Sequence, residues 1–77
     1  MKKDGLNYFL VNVITRKNGY SFMVTSQYDN LTDDEIITLC SEKDLFAEKE
    51  DYEFAEIDTL IDEYDINAFE EFTYSID

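Results

Sequence analysis

Residues 30–46 read NLTDDEIITLCSEKDLF, and the rest of the fold can be worked out from this stretch. Thr32 followed by Glu35 has the spacing of a capping box, each side chain placed to satisfy an exposed amide at a helix start. Leu31 before the cap and Ile36 inside it can close over it as a hydrophobic staple. Asp33 and Asp34 then put negative charge at the positive end of the helix dipole. Ile36, Ile37, Leu39 and Cys40 form an apolar stripe at helical spacing. The spacing predicts a helix over 32–43, with Leu45 and Phe46 tucked back beneath it. Such a stripe needs a covering surface, which the flanking chain must supply.

Upstream, Leu6 to Thr15 and Tyr20 to Gln27 are β-rich runs separated by Arg16-Lys17-Asn18-Gly19. They predict a β-hairpin over 6–27. Asn18-Gly19 suits a two-residue type I′ turn, since both residues tolerate positive φ. That turn pairs Lys17 with Tyr20, Thr15 with Phe22, Val13 with Val24 and Val11 with Ser26. One face then carries Phe9, Val11, Val13, Tyr20, Phe22 and Val24 as the core. The other carries Leu10, Asn12, Ile14, Ser21, Met23 and Thr25, a mixed face suited to partial cover or an interface. Residues 1–5 read as a polar, frayed tail.

Downstream, Glu48 to Glu53 is an acidic connection. Tyr52 to Asp58 is undecided between helix and strand: Tyr52, Phe54 and Glu56 alternate, yet Phe54, Ile57, Leu60, Ile61 and Tyr64 fit helical spacing. Asp58-Thr59 followed by Asp62 marks a second helix start, giving a helix over 59–64. Phe72, Tyr74 and Ile76 alternate with Thr73 and Ser75, giving a C-terminal strand over 69–76. The reading is a small α+β two-layer domain in the order ββα(α/β)αβ. Its antiparallel sheet has three strands, or four, with two helices packed on one face.

A chain of 77 residues makes one domain near the size where a single core barely suffices. Six Phe and six Tyr offset this, because each buries a large area. The lone Cys40 cannot form an internal disulfide, which suits a reducing, cytoplasmic setting. No apolar run approaches the roughly 18–20 residues needed to span a bilayer, so no membrane contact is expected.

Charge is the main functional clue, and it is uneven. Residues 1–28 hold four bases (Lys2, Lys3, Arg16, Lys17) against one acid, a balance of +3. Residues 29–77 hold eighteen acids against two bases (Lys43, Lys49), a balance of −16. Such asymmetry bears on partners and solubility more than on fold.

Catalysis finds little support, and no catalytic residue is assigned. The chain has no His, the commonest general base and metal ligand. Cys40 sits on the apolar stripe with no basic neighbour in sequence, which reads as a small buried hydrophobe. The oxygen-rich runs Asp29, Asp33, Asp34, Glu35 and Asp58, Asp62, Glu63, Asp65 lack the glycine and twelfth-position Glu of a calcium loop. No metal site and no cofactor is expected. Direct nucleic-acid binding is disfavoured because the acidic part repels phosphate.

Two readings of the acids remain. In one they only keep the chain soluble. In the other they imitate a phosphate backbone, which carries a charge about every 1.7 Å of duplex, and occupy the basic cleft of a nucleic-acid-binding enzyme. The residues concerned are Glu48, Glu50, Asp51, Glu53, Glu56, Asp58, Asp62, Glu63, Asp65, Glu70 and Glu71. Tyr52, Phe54, Tyr64 and Phe69 are interleaved with them as core or as interface anchors. In size, acidity and lack of catalytic groups the chain resembles, as a class, phage-encoded inhibitors of host nucleases. The partner is then a basic protein. Imitation requires the acids to share one firm face, uninterrupted by Lys2, Lys3, Arg16 and Lys17. The alternative is a self-assembling structural module, joined through Leu10, Ile14 and Met23 and an open edge strand. The chain is accordingly expected as a monomer or a homodimer.

Overall fold

A computed structural model describes residues 1–16, 19–46 and 52–77, with 52–54 described by their backbone alone. Five strands, β1 (Lys2–Lys3), β2 (Leu6–Thr15), β3 (Gly19–Ser26), β4 (Tyr52–Asp58) and β5 (Thr73–Ser75), make one sheet. Two helices, α1 (Asp33–Glu42) and α2 (Glu63–Ala68), join them, and a 3₁₀ turn at Glu70–Phe72 leads into β5. Strand β2 is the centre. It pairs antiparallel with β3 along one edge, and along the other with β1 at its start and β4 over its remainder. β5 adds to the far side of β3 and runs parallel to it. The α+β class holds, but the sheet is mixed and five-stranded, not antiparallel with three or four strands.

The hairpin forms in a different register. Val13 pairs with Tyr20, Val11 with Phe22 and Phe9 with Val24, and Gly19 is already paired with Ile14. Gly19 therefore belongs to β3 and is not a turn residue as expected, while Lys17 and Asn18 lie outside the described residues. Cross-strand packing outweighs the local turn preference, because this register sets aromatic rings against β-branched side chains. The displacement is even, so every side chain keeps its face; a slip of one residue would have reversed them all.

The first residues are no frayed tail. Asp4 and Gly5 both have positive φ, 54° and 80°, and Lys3 pairs with Leu6 across them. This is a two-residue Asp-Gly hairpin turn of the I′ kind. The Tyr8 amide donates to the Met1 carbonyl at 2.7 Å, extending the pairing by one residue.

Helix α1 starts as read. Thr32 Oγ1 accepts from the Glu35 amide at 3.2 Å, and Glu35 Oε1 accepts from the Thr32 amide at 3.1 Å. At its end the Leu45 amide reaches the Cys40 carbonyl at 3.0 Å and the Asp44 amide reaches Ser41 at 3.1 Å. With Asp44 at φ 59° this is a Schellman motif, which turns Leu45 and Phe46 back onto the core. Ile36, Cys40 and Phe46 are buried there with Phe9, Val11, Val13, Phe22, Val24 and Ile76.

The segment 52–58 is strand, with Ala55 and Ile57 opposite Val13 and Val11 and packed on the same core. The competing helical pattern fails because its later members face water: Leu60 is 92% and Tyr64 79% exposed. Helix α2 covers 63–68 rather than 59–64, since Asp62, not Asp58, is its cap. The C-terminal strand is confined to 73–75, with 70–72 in the 3₁₀ turn.

The helices do not share one face. Because β3 and β4 both oppose β2, they run the same way, and α1 carries the chain between them across the core face. Because β5 parallels β3, the chain must cross back from β4, and a helical crossover is the usual route between parallel strands. On that return Ile66 of α2 is buried apart from the main core, beside Tyr8 and Thr73 of the opposite face. Met23 and Thr25, on this second face, are buried too.

Candidate functional site

The last 28 residues contain eleven acids and no Lys or Arg. The fold arranges the described members of this run along the return path from β4 to β5. The register places Glu56 opposite Asn12 and Asp58 opposite Leu10, on the second face and at the outer edge of the sheet. Glu56 is exposed and Asp58 half-buried. Acidic side chains on an outer strand also discourage strand-to-strand aggregation.

Three further acids surround the start of α2. Asp62 Oδ1 accepts from the Asp65 amide, and Asp65 Oδ2 from the Asp62 amide, both at 3.0 Å. This second capping box, built wholly from Asp, commits both carboxylates to holding the helix. Asp58 has a similar local duty, accepting from the Leu60 amide at 2.9 Å. Glu63 is exposed, but its Oε1 lies 3.6 Å from Lys3 Nζ. Glu70 and Glu71 are exposed on the 3₁₀ turn. Glu70 lines a shallow hollow with Lys3, Asp4, Tyr8, Ile66, Asn67 and Thr73.

Of the eleven candidate acids, then, Glu56, Glu70 and Glu71 are exposed with no capping duty or ion pair among the described residues. Asp58, Asp62 and Asp65 serve the backbone, and Glu63 meets a lysine. Glu48, Glu50 and Asp51 lie outside the described residues, and so does the side chain of Glu53. The row is interrupted by Lys3, one of the four bases whose absence from that face the imitation required. Its position follows from the Asp4-Gly5 turn, a sequence signal of the same kind as Asn18-Gly19.

Neither a family model, nor a curated protein, nor a solved structure matches the chain.

Among the described residues, three of the four basic side chains, Lys2, Lys3 and Lys43, are engaged within the molecule. Lys2 Nζ lies 3.4 Å from Asp29 Oδ1, and Lys43 Nζ donates to the Asp77 main-chain oxygen at 2.9 Å. The Asn7 amide also donates to Asp29 Oδ1 at 2.8 Å. The Asn7 bond, then Lys2, holds the Asp29 carboxyl below its usual range. Asp77 is held down likewise, by the Ser26 hydroxyl at 2.6 Å and the Gln27 amide at 2.8 Å. Burial pushes the Cys40 thiol up to about 11, so it is an un-ionised core group and not a nucleophile at neutral pH.

Among the described residues no group of three or more His, Cys, Asp or Glu is placed to hold a metal ion. No helix among them is long and apolar enough to cross a membrane.

Proposed function

We propose that the chain is a small, non-catalytic acidic protein that binds a basic protein partner through the β4–α2–3₁₀ side. The observation that carries this is the charge of the last 28 residues, whose eleven charged side chains are all acids. The more specific form, occupation of the cationic cleft of a nucleic-acid-binding enzyme, is weakened because Lys3 interrupts the acid row that imitation requires, and it rests on Glu56, Glu70 and Glu71 alone among the described residues. The backbone under Glu56 on β4 and under Glu70 and Glu71 on the 3₁₀ turn is placed without a partner, which lowers the ordering cost of binding. Electrostatic steering then speeds encounter and fades as salt screens it. Lys3 reduces the charge at Glu63, so Glu56, Glu70 and Glu71 carry most of the attraction.

The self-assembly alternative is weaker than its sequence basis. Met23 is fully buried and unavailable, leaving Ile14, 38% exposed, and half-buried Leu10. Two copies, each at −13, also repel.

The test is affinity capture from lysate on the immobilised chain at low and high salt, followed by elution with duplex DNA or RNA. The reading expects a basic protein that is retained at low salt and displaced by nucleic acid. Recovery of no basic protein, or of a complex indifferent to ionic strength, would overturn it.

A further inference from the structure

Two large apolar side chains stand out into solvent where β4 gives way to α2. Leu60 and Tyr64, 92% and 79% exposed, are barer than any other large apolar group among the described residues. The local fold puts them there. Asp62 is the cap of α2, so Ile61 before it and Ile66 inside it hold the positions of a hydrophobic staple, and they are half-buried and buried. The isoleucines fill the inward places, and Leu60 and Tyr64 are left outside. Their backbone is nevertheless fixed. The Leu60 amide donates to Asp58 Oδ1 at 2.9 Å, and Tyr64 lies within the reciprocal caps of Asp62 and Asp65. Four steps of chain keep their Cα atoms within about 14 Å of each other, so one cleft can take both.

The same segment supplies the sign of the charge. Residues 58–65 contain four acids, Asp58, Asp62, Glu63 and Asp65, and no base. Asp62 and Glu63 lie between the two apolar residues in sequence and are both exposed. A carboxylate that accepts from a backbone amide keeps its charge, so the capping duties do not remove it. The cations placed here, among the described residues, are Lys3, 3.6 Å from Glu63, and the Met1 ammonium, 3.4 Å from the Thr59 carbonyl oxygen. Two positive charges against four negative ones leave the surface acidic. Two such surfaces repel each other, and an anionic membrane repels either. A cleft with apolar walls and Lys or Arg at its mouth is complementary.

We infer that Leu60 and Tyr64 are paired anchors that enter an apolar cleft bordered by Lys or Arg on a partner protein. The inference rests on the basic-partner reading and adds to it the contact that selects one basic protein among many. Buried anchors, and not rim charges, carry most of the energy of an interface.

The defined probe is amino-substituted β-cyclodextrin, an apolar cavity with an ammonium rim, titrated into the ¹⁵N-labelled chain beside neutral β-cyclodextrin. The aminated host is expected to bind about tenfold more tightly at low salt, the scale of a few exposed ion pairs. It is expected to shift the amides of 59–65 more than those beside Tyr28 and Phe72. Leu60→Ser combined with Tyr64→Ser, at exposed positions where the rest of the amide spectrum should persist, is expected to abolish these shifts. In capture from lysate the same double variant, unchanged in charge, is expected to retain the salt-sensitive basic protein about tenfold less well. Retention equal to the parent's, or shifts spread evenly to Tyr28 and Phe72, overturns the inference and leaves the acidic reading standing. Capture that ignores salt yet depends on Leu60 and Tyr64 overturns the acidic reading and keeps the anchors. Capture of no protein overturns both. Shifts at 59–65 that grow with protein concentration alone assign the anchors to a second copy and overturn the inference.

Discussion

Phe22 touches three aromatic rings: Tyr20 stacked at 6.3 Å, Phe46 edge-on at 6.1 Å and Tyr74 edge-on at 6.0 Å. It thereby ties β3 to the segment after α1 and to β5. Phe22→Ala should cost about 3–5 kcal/mol, most of the stability of a domain this small, and urea unfolding at 25 °C would show a largely unfolded variant. Asp77 is a residue whose ionisation bears on the fold, since its carboxylate holds buried Ser26 and the Gln27 amide. Its folded pKa is depressed, so its contribution is full above the ordinary carboxylate pKa and lost as pH falls through the lowered value. Asp77→Asn should lower stability near pH 7 by weakening the bonds to Ser26 and Gln27, by an amount that solvent screening of this exposed carboxylate keeps small. The gap from the parent should close on acidification below the usual carboxylate range, as read by thermal melts at matched ionic strength. A gap that widened in acid would contradict the assignment.

At the scale of elements, β1 depends on the left-handed Asp4-Gly5 turn. Gly5→Ala meets no steric obstacle from neighbouring atoms, so any loss comes from its φ of 80°. A Cβ there costs about 1–2 kcal/mol, and hydrogen exchange at the Tyr8 amide should accelerate roughly tenfold or more while the Val11 and Val24 amides keep their protection. The capped start of α1 and the faces of β2 and β3 were legible in the sequence because Thr32, Glu35 and the alternation of Phe9, Val11 and Val13 are local signals. The hairpin register was not, because Val11–Phe22 and Val13–Tyr20 packing acts across strands while Asn18-Gly19 speaks only for itself. The second helix was displaced for a related reason: Asp58 and Asp62 both resemble caps, and the choice is made by β4 pairing through Asp58 to β2. The parallel placement of β5 left no trace in a three-residue strand. Of the candidate site, the acids were legible as charge, but their backbone duties at Asp58, Asp62 and Asp65 and the Lys3 contact with Glu63 come from tertiary position.

Over the whole molecule, self-repulsion of a chain at −13 opposes the folded state. Raising NaCl from about 0.01 M to about 1 M shortens the screening length from about 30 Å to about 3 Å, and Tm should rise. A fall would mean that pairs such as Lys2–Asp29 and Lys3–Glu63 outweigh the repulsion. The functional account makes a stricter demand, that location and not total charge selects the partner. The most direct measurement is a parallel capture from one lysate with two variants of equal charge. One carries Glu56→Gln, Glu70→Gln and Glu71→Gln; the other carries Asp33→Asn, Asp34→Asn and Glu42→Gln on α1. The account predicts that the first loses the salt-sensitive basic partner and the second keeps it; equal retention or equal loss by both would contradict it.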